Sequence, residues 1–226
     1  VRLCDTRSNQ AASINEPGND VFLKLLRQWG PITKNLFVWD YAAIYAKTTK
    51  SFPFPSEFYY GDQWRAYAKY GVKGVFLEHE DQRIGDLWEI KYYMETKLYE
   101  NPFVDDQALL AQAMKEFFGT AAPYVSRLRR ELDKLRKERK AFIGWTPELG
   151  EFDFLKPDDI SRMKKCYDMA EAACKGDEKY VRRVRRALLV GGQDVVYFIL
   201  VFIKAVVYVQ YLTAGISENG ITALFN

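Results

Sequence analysis

Asn35-Leu36-Phe37-Val38-Trp39-Asp40-Tyr41 is a short, continuous apolar run that ends in a carboxylate. Runs of this kind fit a strand buried on both faces, as in a parallel sheet. Upstream, Gly18-Asn19-Asp20 supplies turn and N-cap chemistry before Val21 to Trp29. There Phe22, Leu25, Leu26 and Trp29 follow i, i+3, i+4, i+7, which predicts an amphipathic helix closed by Gly30-Pro31. Further upstream, Val1 to Cys4 reads as a strand end running into a polar loop, Asp5 to Asn19. Downstream, Phe52-Pro53-Phe54-Pro55 is a rigid loop, because prolines at alternate positions exclude regular structure. A helix through Trp64, Tyr67 and Ala68 follows and stops at Tyr70-Gly71. Val72 to Leu77 is then a second apolar run ending in carboxylates, Glu78-His79-Glu80.

This alternation of helix and strand is the rhythm of parallel α/β architecture. Asp40 and Glu78 are 38 positions apart, near the roughly 30 residues of one βα repeat in a barrel. Both fall at the C-terminal ends of predicted strands, the end where barrel enzymes carry their chemistry. After Asp81 the pattern turns helical. Helices are predicted from Asp86 to Tyr99, from Asp105 to Phe118, from about Pro123, from Pro157 to about Lys175, and from Asp177 to Leu189. In the third of these, Val125, Leu128, Leu132, Leu135 and Phe142 keep a seven-residue repeat, the seam of a packed helix. The chain therefore divides into residues 1–85, the α/β part, residues 86–190, a helical domain, and an apolar tail, 191–226. Within that tail residues 195–212 approach the length of a membrane span. Their Val, Tyr, Phe and Ile content and a central Lys204 favour buried strands or an abnormal terminus instead.

Composition excludes several functions. A net charge of +3 gives no reason to expect nucleic acid. One histidine, three cysteines and no C-x-x-C pair leave no metal spacing and no disulfide framework. No cofactor is expected either. The basic stretch Arg127 to Lys140 is interrupted by Glu131, Asp133 and Glu138, so it reads as a solvated helix face with i,i+4 ion pairs. Aromatic residues make up 15% of the chain, enough to furnish a sugar-stacking groove as well as a core.

Hydrolysis of a glycosidic bond needs two carboxyl groups flanking it. Asp40 and Glu78 meet that need if their strands are neighbours, since strand spacing of roughly 4.8 Å lets their ends converge on one substrate. Glu80 shares the facing of Glu78 while the strand continues, and His79 points away. Trp39, Tyr41, Tyr45, Tyr59, Tyr60 and Trp64 lie on or between the adjoining loops, with Trp39, Tyr41, Glu80 and Tyr60 as the leading substrate contacts. The plainer alternative is that these acids cap helices or pair with lysines and that the rings are core.

Four segments together resemble the domain of unknown function 4838 family: Thr33 to Tyr41, Phe52 to Pro55, Tyr70 to Phe76, and Phe117-Phe118-Gly119-Thr120-Ala121-Ala122-Pro123-Tyr124. That bacterial family looks related to α-glucuronidase and hexosaminidase-type glycoside hydrolases. The resemblance implies the C-terminal portion of a (β/α)8 TIM-type barrel with a helical domain behind it, in a secreted or cell-envelope protein. It implies a carbohydrate substrate, and an N-terminal barrel portion or another chain to complete the fold. Asp40 and Glu78 would then position water, with the general acid on an earlier strand. Two further expectations are a non-catalytic carbohydrate-binding barrel, and a helical interaction module built on the seam from Val125 to Phe142.

Overall fold

The structure is a computed structural model that describes residues 1–41, 44–45, 52–78 and 85–187. Three strands, β1 (Arg2–Cys4), β2 (Leu36–Tyr41) and β3 (Val72–Glu78), form one parallel sheet in the order β1-β2-β3. Helix α1 (Val21–Trp29) connects the first pair, and a 3-10 turn at Ser56–Phe58 with helix α2 (Tyr60–Lys69) connects the second. The register sets Leu3 beside Val38 and Cys4 beside Trp39 on one flank. On the other it sets Val38 beside Val75, Trp39 beside Phe76 and Tyr41 beside Glu78.

Side chains alternate across a strand, and here the alternation separates two unlike faces. Leu36, Val38 and Asp40 are buried in the same core as Phe22, Leu26, Trp64 and Tyr67 of the two helices. Phe37 and Phe76 point the other way and are 40% and 53% exposed. The run in β2 is thus covered on one face among the described residues, not on both as its continuous apolar character predicts. Helix α1 also turns slightly from the expected stripe: Phe22, Leu23 and Leu26 are buried, while Leu25 and Trp29 are only partly covered. Gly30 closes α1 against the end of α2, where a Cβ would lie 2.8 Å from the Tyr70 carbonyl oxygen. Gly71, at φ +76°, then takes the left-handed turn that leads into β3.

The other α-helices among the described residues are α3 (Trp88–Glu100), α4 (Asp106–Phe118), α5 (Ala122–Glu138), α6 (Pro157–Ala173) and a helix over residues 178–187. Asp105 caps α4 by accepting from the Ala108 amide at 2.9 Å. The Val125, Leu128, Leu132 and Leu135 stripe of α5 is buried, and α5 packs on α4 and α6. Phe142 leaves this seam, because α5 ends at Glu138 and Phe142 is 50% exposed. One hydrophobic cluster runs from Ala11 to Val184, through both the α/β part and the helices. Residues 195–212 lie outside the described residues.

The basic stretch of α5 departs from its solvated reading. Lys137–Asp133 and Lys134–Glu138 are the expected surface pairs, but Arg129 and Arg136 are 1% exposed. Arg129 donates to both carboxylate oxygens of Glu57 at 2.6 and 2.9 Å and to both of Asp86 at 2.8 and 2.9 Å. Lys91 donates to Asp86 at 2.8 Å and lies 3.4 Å from the centre of the Phe54 ring. The Phe54 carbonyl accepts from both cations. Two cations and two anions cancel, and the rigid proline loop is clamped between α3 and α5. Arg136 makes a similar bidentate bond to Glu16, at 2.8 and 2.9 Å, and ties α5 to the loop after β1.

Candidate functional site

The C-terminal end of the uncovered sheet face gathers aromatic rings around one carboxylate. Trp39 donates from Nε1 to Glu78 Oε2 at 2.5 Å, and its ring meets Phe76 edge-on at 4.9 Å. Arg2, from β1, lies 5.8 Å from the Trp39 ring centre. Tyr41 lies beside Glu78 in register. Tyr45 donates its hydroxyl to the Glu78 carbonyl and meets the Tyr41 ring at 5.4 Å. Trp145, from the segment after α5, stacks on Tyr41 at 4.7 Å with 33° between the ring planes. Trp39, Tyr41, Tyr45, Glu78 and Trp145 are all partly exposed. Together they form a surface with broad apolar ring faces and few, fixed polar groups, the make-up of sites that bind small organic molecules.

Asp40 does not join this group. β2 and β3 are neighbours, as convergence requires, but Asp40 pairs with Leu77 and Glu78 with Tyr41, so the two acids stand on opposite faces. The expectation that they converge on one substrate is corrected by this one-residue offset. Asp40 is 3% exposed. Its Oδ2 accepts from Gln63 at 2.6 Å and from the Tyr67 hydroxyl at 2.7 Å, and its Oδ1 accepts from the Tyr41 amide at 2.8 Å. Burial pushes its carboxyl up to about 8, helped by the negative charges of Asp5 and Glu95 and opposed by the Tyr67 donor. The group therefore holds its proton near neutrality.

Asp5 is the acid that accompanies Asp40. Its amide donates to the Trp39 carbonyl, continuing the β1–β2 ladder by one residue. That continuation puts its side chain on the covered face next to Asp40. Burial raises its carboxyl as well, against the Ser8 and Arg7 donors. It lines a cavity of about 20 Å³ together with Asn9, Asn19, Tyr60 and Gln63, which is room for about one water and not for a sugar ring. Tyr60 is 5% exposed and its hydroxyl is 2.8 Å from Ser56 Oγ. Its expected substrate contact is therefore corrected: the ring faces this small cavity and not the open face. Tyr59 and Trp64 are buried too. Glu80 and His79 lie outside the described residues.

Sequence reading overlooked Asp5 and Trp145. For Asp5 a signal existed, since Val1 to Cys4 is also a strand followed by an acid, but three strand residues are too few to stand out. Trp145 lies in an aperiodic segment and carries no local signal.

Among the described residues no group of three or more His, Cys, Asp or Glu is placed to hold a metal ion. No helix among them is long and apolar enough to cross a membrane. Comparison with curated proteins and with solved structures gives no match. A family profile matches residues 1–129, more than half of the chain and all three strands with their helices. By that match the chain belongs to the family described as Domain of unknown function (DUF4838).

Proposed function

We propose that the chain supplies late strands and the helical domain of a glycoside-hydrolase-like (β/α)8 barrel protein, one that hydrolyses glycosidic bonds in polysaccharides or oligosaccharides. The observation that carries the reading is the fixed Glu78 carboxylate among partly exposed aromatic rings at the C-terminal strand ends. In parallel barrels this end carries the chemistry. The uncovered face with Phe37 and Phe76 would be the barrel interior, enclosed by strands additional to these three. Glu78 faces the sugar and positions substrate or water, with its Oε2 held by Trp39. Trp39 and Tyr41 stack on the sugar ring. Asp40 acts from behind the sheet by accepting the Tyr41 amide, so it is a positioning residue. No cofactor enters this scheme, and the general acid lies outside the described residues.

A second reading is favoured by one specific observation. Hydrolysis needs two carboxyl groups, yet among the described strand residues of the open face Glu78 has no companion acid. This suits a non-catalytic carbohydrate-binding barrel.

Glu78→Gln in the full-length protein separates the two. The enzyme reading expects release of reducing ends from polysaccharide to fall about 100-fold or more, with binding retained. Turnover equal to wild type removes Glu78 from the chemistry. Sugar binding with no turnover in wild type favours the binding module. The 226-residue chain alone is expected to show no turnover, because the three strands among its described residues cannot close a barrel.

A further inference from the structure

We infer that Trp145 is a sugar-stacking residue of this site, supplied by a segment beyond the family-matched residues. The inference rests on the carbohydrate reading above and adds a residue and a region to it.

The family profile ends at residue 129, and Trp145 lies past the end of α5. The segment that carries it is nevertheless fastened to the strand ends. Asn9, in the loop after β1, donates from Nδ2 to the Ala141 carbonyl at 2.8 Å and accepts from the Ile143 amide at 3.1 Å. The Gln10 amide donates to the Ile143 carbonyl at 2.8 Å, and Ile143 is fully buried. The Gly144 amide donates to Glu151 at 2.7 Å. Beyond these anchors the Tyr45 amide donates to the Trp145 carbonyl at 2.8 Å. So the residues leading into Trp145 and its own carbonyl are held, while Trp145 remains partly exposed.

A tryptophan held in place but only partly covered, against Tyr41 and next to Tyr45, is poorly explained by core packing. Core rings here, such as Phe152 and Phe22, are 2% exposed or less. Aromatic rings with an apolar body and a polar edge serve where one side is apolar and the other wet. The C–H faces of a pyranose offer such an apolar side, and its hydroxyls would meet Glu78. Trp39 contacts Glu78 and Phe76, and Trp145 contacts Tyr41, which lies beside Glu78 in register.

The test uses the full-length protein and a panel of cello-, xylo-, manno- and chitohexaose, with affinity read by calorimetry. Wild type should bind at least one of them. Trp145→Ala should weaken that binding about tenfold or more, and Trp145→Phe, which keeps a ring, by about threefold or less. In parallel, wild-type protein is oxidised with N-bromosuccinimide and the tryptophans are mapped by mass spectrometry. Saturating sugar should protect Trp145 along with Trp39, a readout that requires no variant to fold. Binding that falls in Trp39→Ala but is unchanged in Trp145→Ala, with Trp145 oxidised equally with and without sugar, overturns this inference alone. Failure of every sugar to bind wild type overturns the carbohydrate reading and this inference with it.

Discussion

Asp86 lies in the ionic cluster beneath the Phe54 loop, and Asp40 lies under the end of β2. Both are buried, at 9% and 3% exposure. Burial pushes both carboxyls upward, yet the outcomes differ in sign. At Asp86 the charges of Arg129 and Lys91 outweigh burial and hold the acid below its ordinary value. At Asp40 the donors are neutral, Gln63 and Tyr67, and neighbouring acids add to burial. Burial alone therefore does not decide ionisation. The charge of the nearest donors does. The first region acts as a closed ionic clamp, and the second keeps a neutral acid behind the face that carries Glu78.

The largest expected effect breaks the clamp. Arg129→Met leaves Glu57 and Asp86 buried with Lys91 as the remaining cation of the cluster. It should cost about 3–5 kcal/mol, read as a lower urea midpoint. A loss below about 1 kcal/mol would mean that the cluster relaxes or hydrates and does not act as a closed ionic clamp.

A smaller effect tests Asp40 by pH. Its folded value of about 8 lies above its ordinary 3.8, so the unfolded chain releases this proton first. Its contribution to stability is full below pH 3.8 and is lost as pH rises through about 8. Asp86 has the reverse sense, contributing above its ordinary value and losing that contribution as acid protonates it. Asp40→Asn should be on the order of 2 kcal/mol more stable than wild type at pH 8, and within about 1 kcal/mol of it at pH 4. Equal slopes of stability against pH in the two proteins would show that Asp40 ionises normally.

The smallest effect belongs to the open face. Phe76→Ser, at a ring 53% exposed, should change the stability of this chain by about 0.5 kcal/mol or less. A loss of several kcal/mol would show that something already covers that face.

Much of the layout can be read from residues alone. The limits of α1 are those predicted by Asp20 and Gly30, and the two longer strands fall where the apolar runs lie. The facing of Asp40 cannot be read so easily. A continuous apolar run has no polar side to mark which residues look toward the helices. The pairing of Tyr41 with Glu78 follows from a register shift between Leu36 and Phe37, a property of two strands and not of either. Arg129 and Arg136 carried a readable sign, since they are seven residues apart and each lies four after a seam residue, Val125 and Leu132. Their charge concealed it, because arginine is buried only where acids distant in sequence await it. Glu57, Asp86 and Glu16 are those acids, and no local pattern announces them.

The family match stops at residue 129, in the middle of α5 and at the arginine that closes the ionic clamp. The unit defined by shared sequence is therefore smaller than the unit that folds. A gene fragment cut at residue 129 would leave α5 without Leu132, Leu135 and Arg136, all buried in the whole chain. It would place a chain terminus and its charge beside Glu57 and Asp86. Expression boundaries drawn from the profile would give an insoluble or protease-sensitive product, and boundaries drawn beyond α6 would keep the clamp intact.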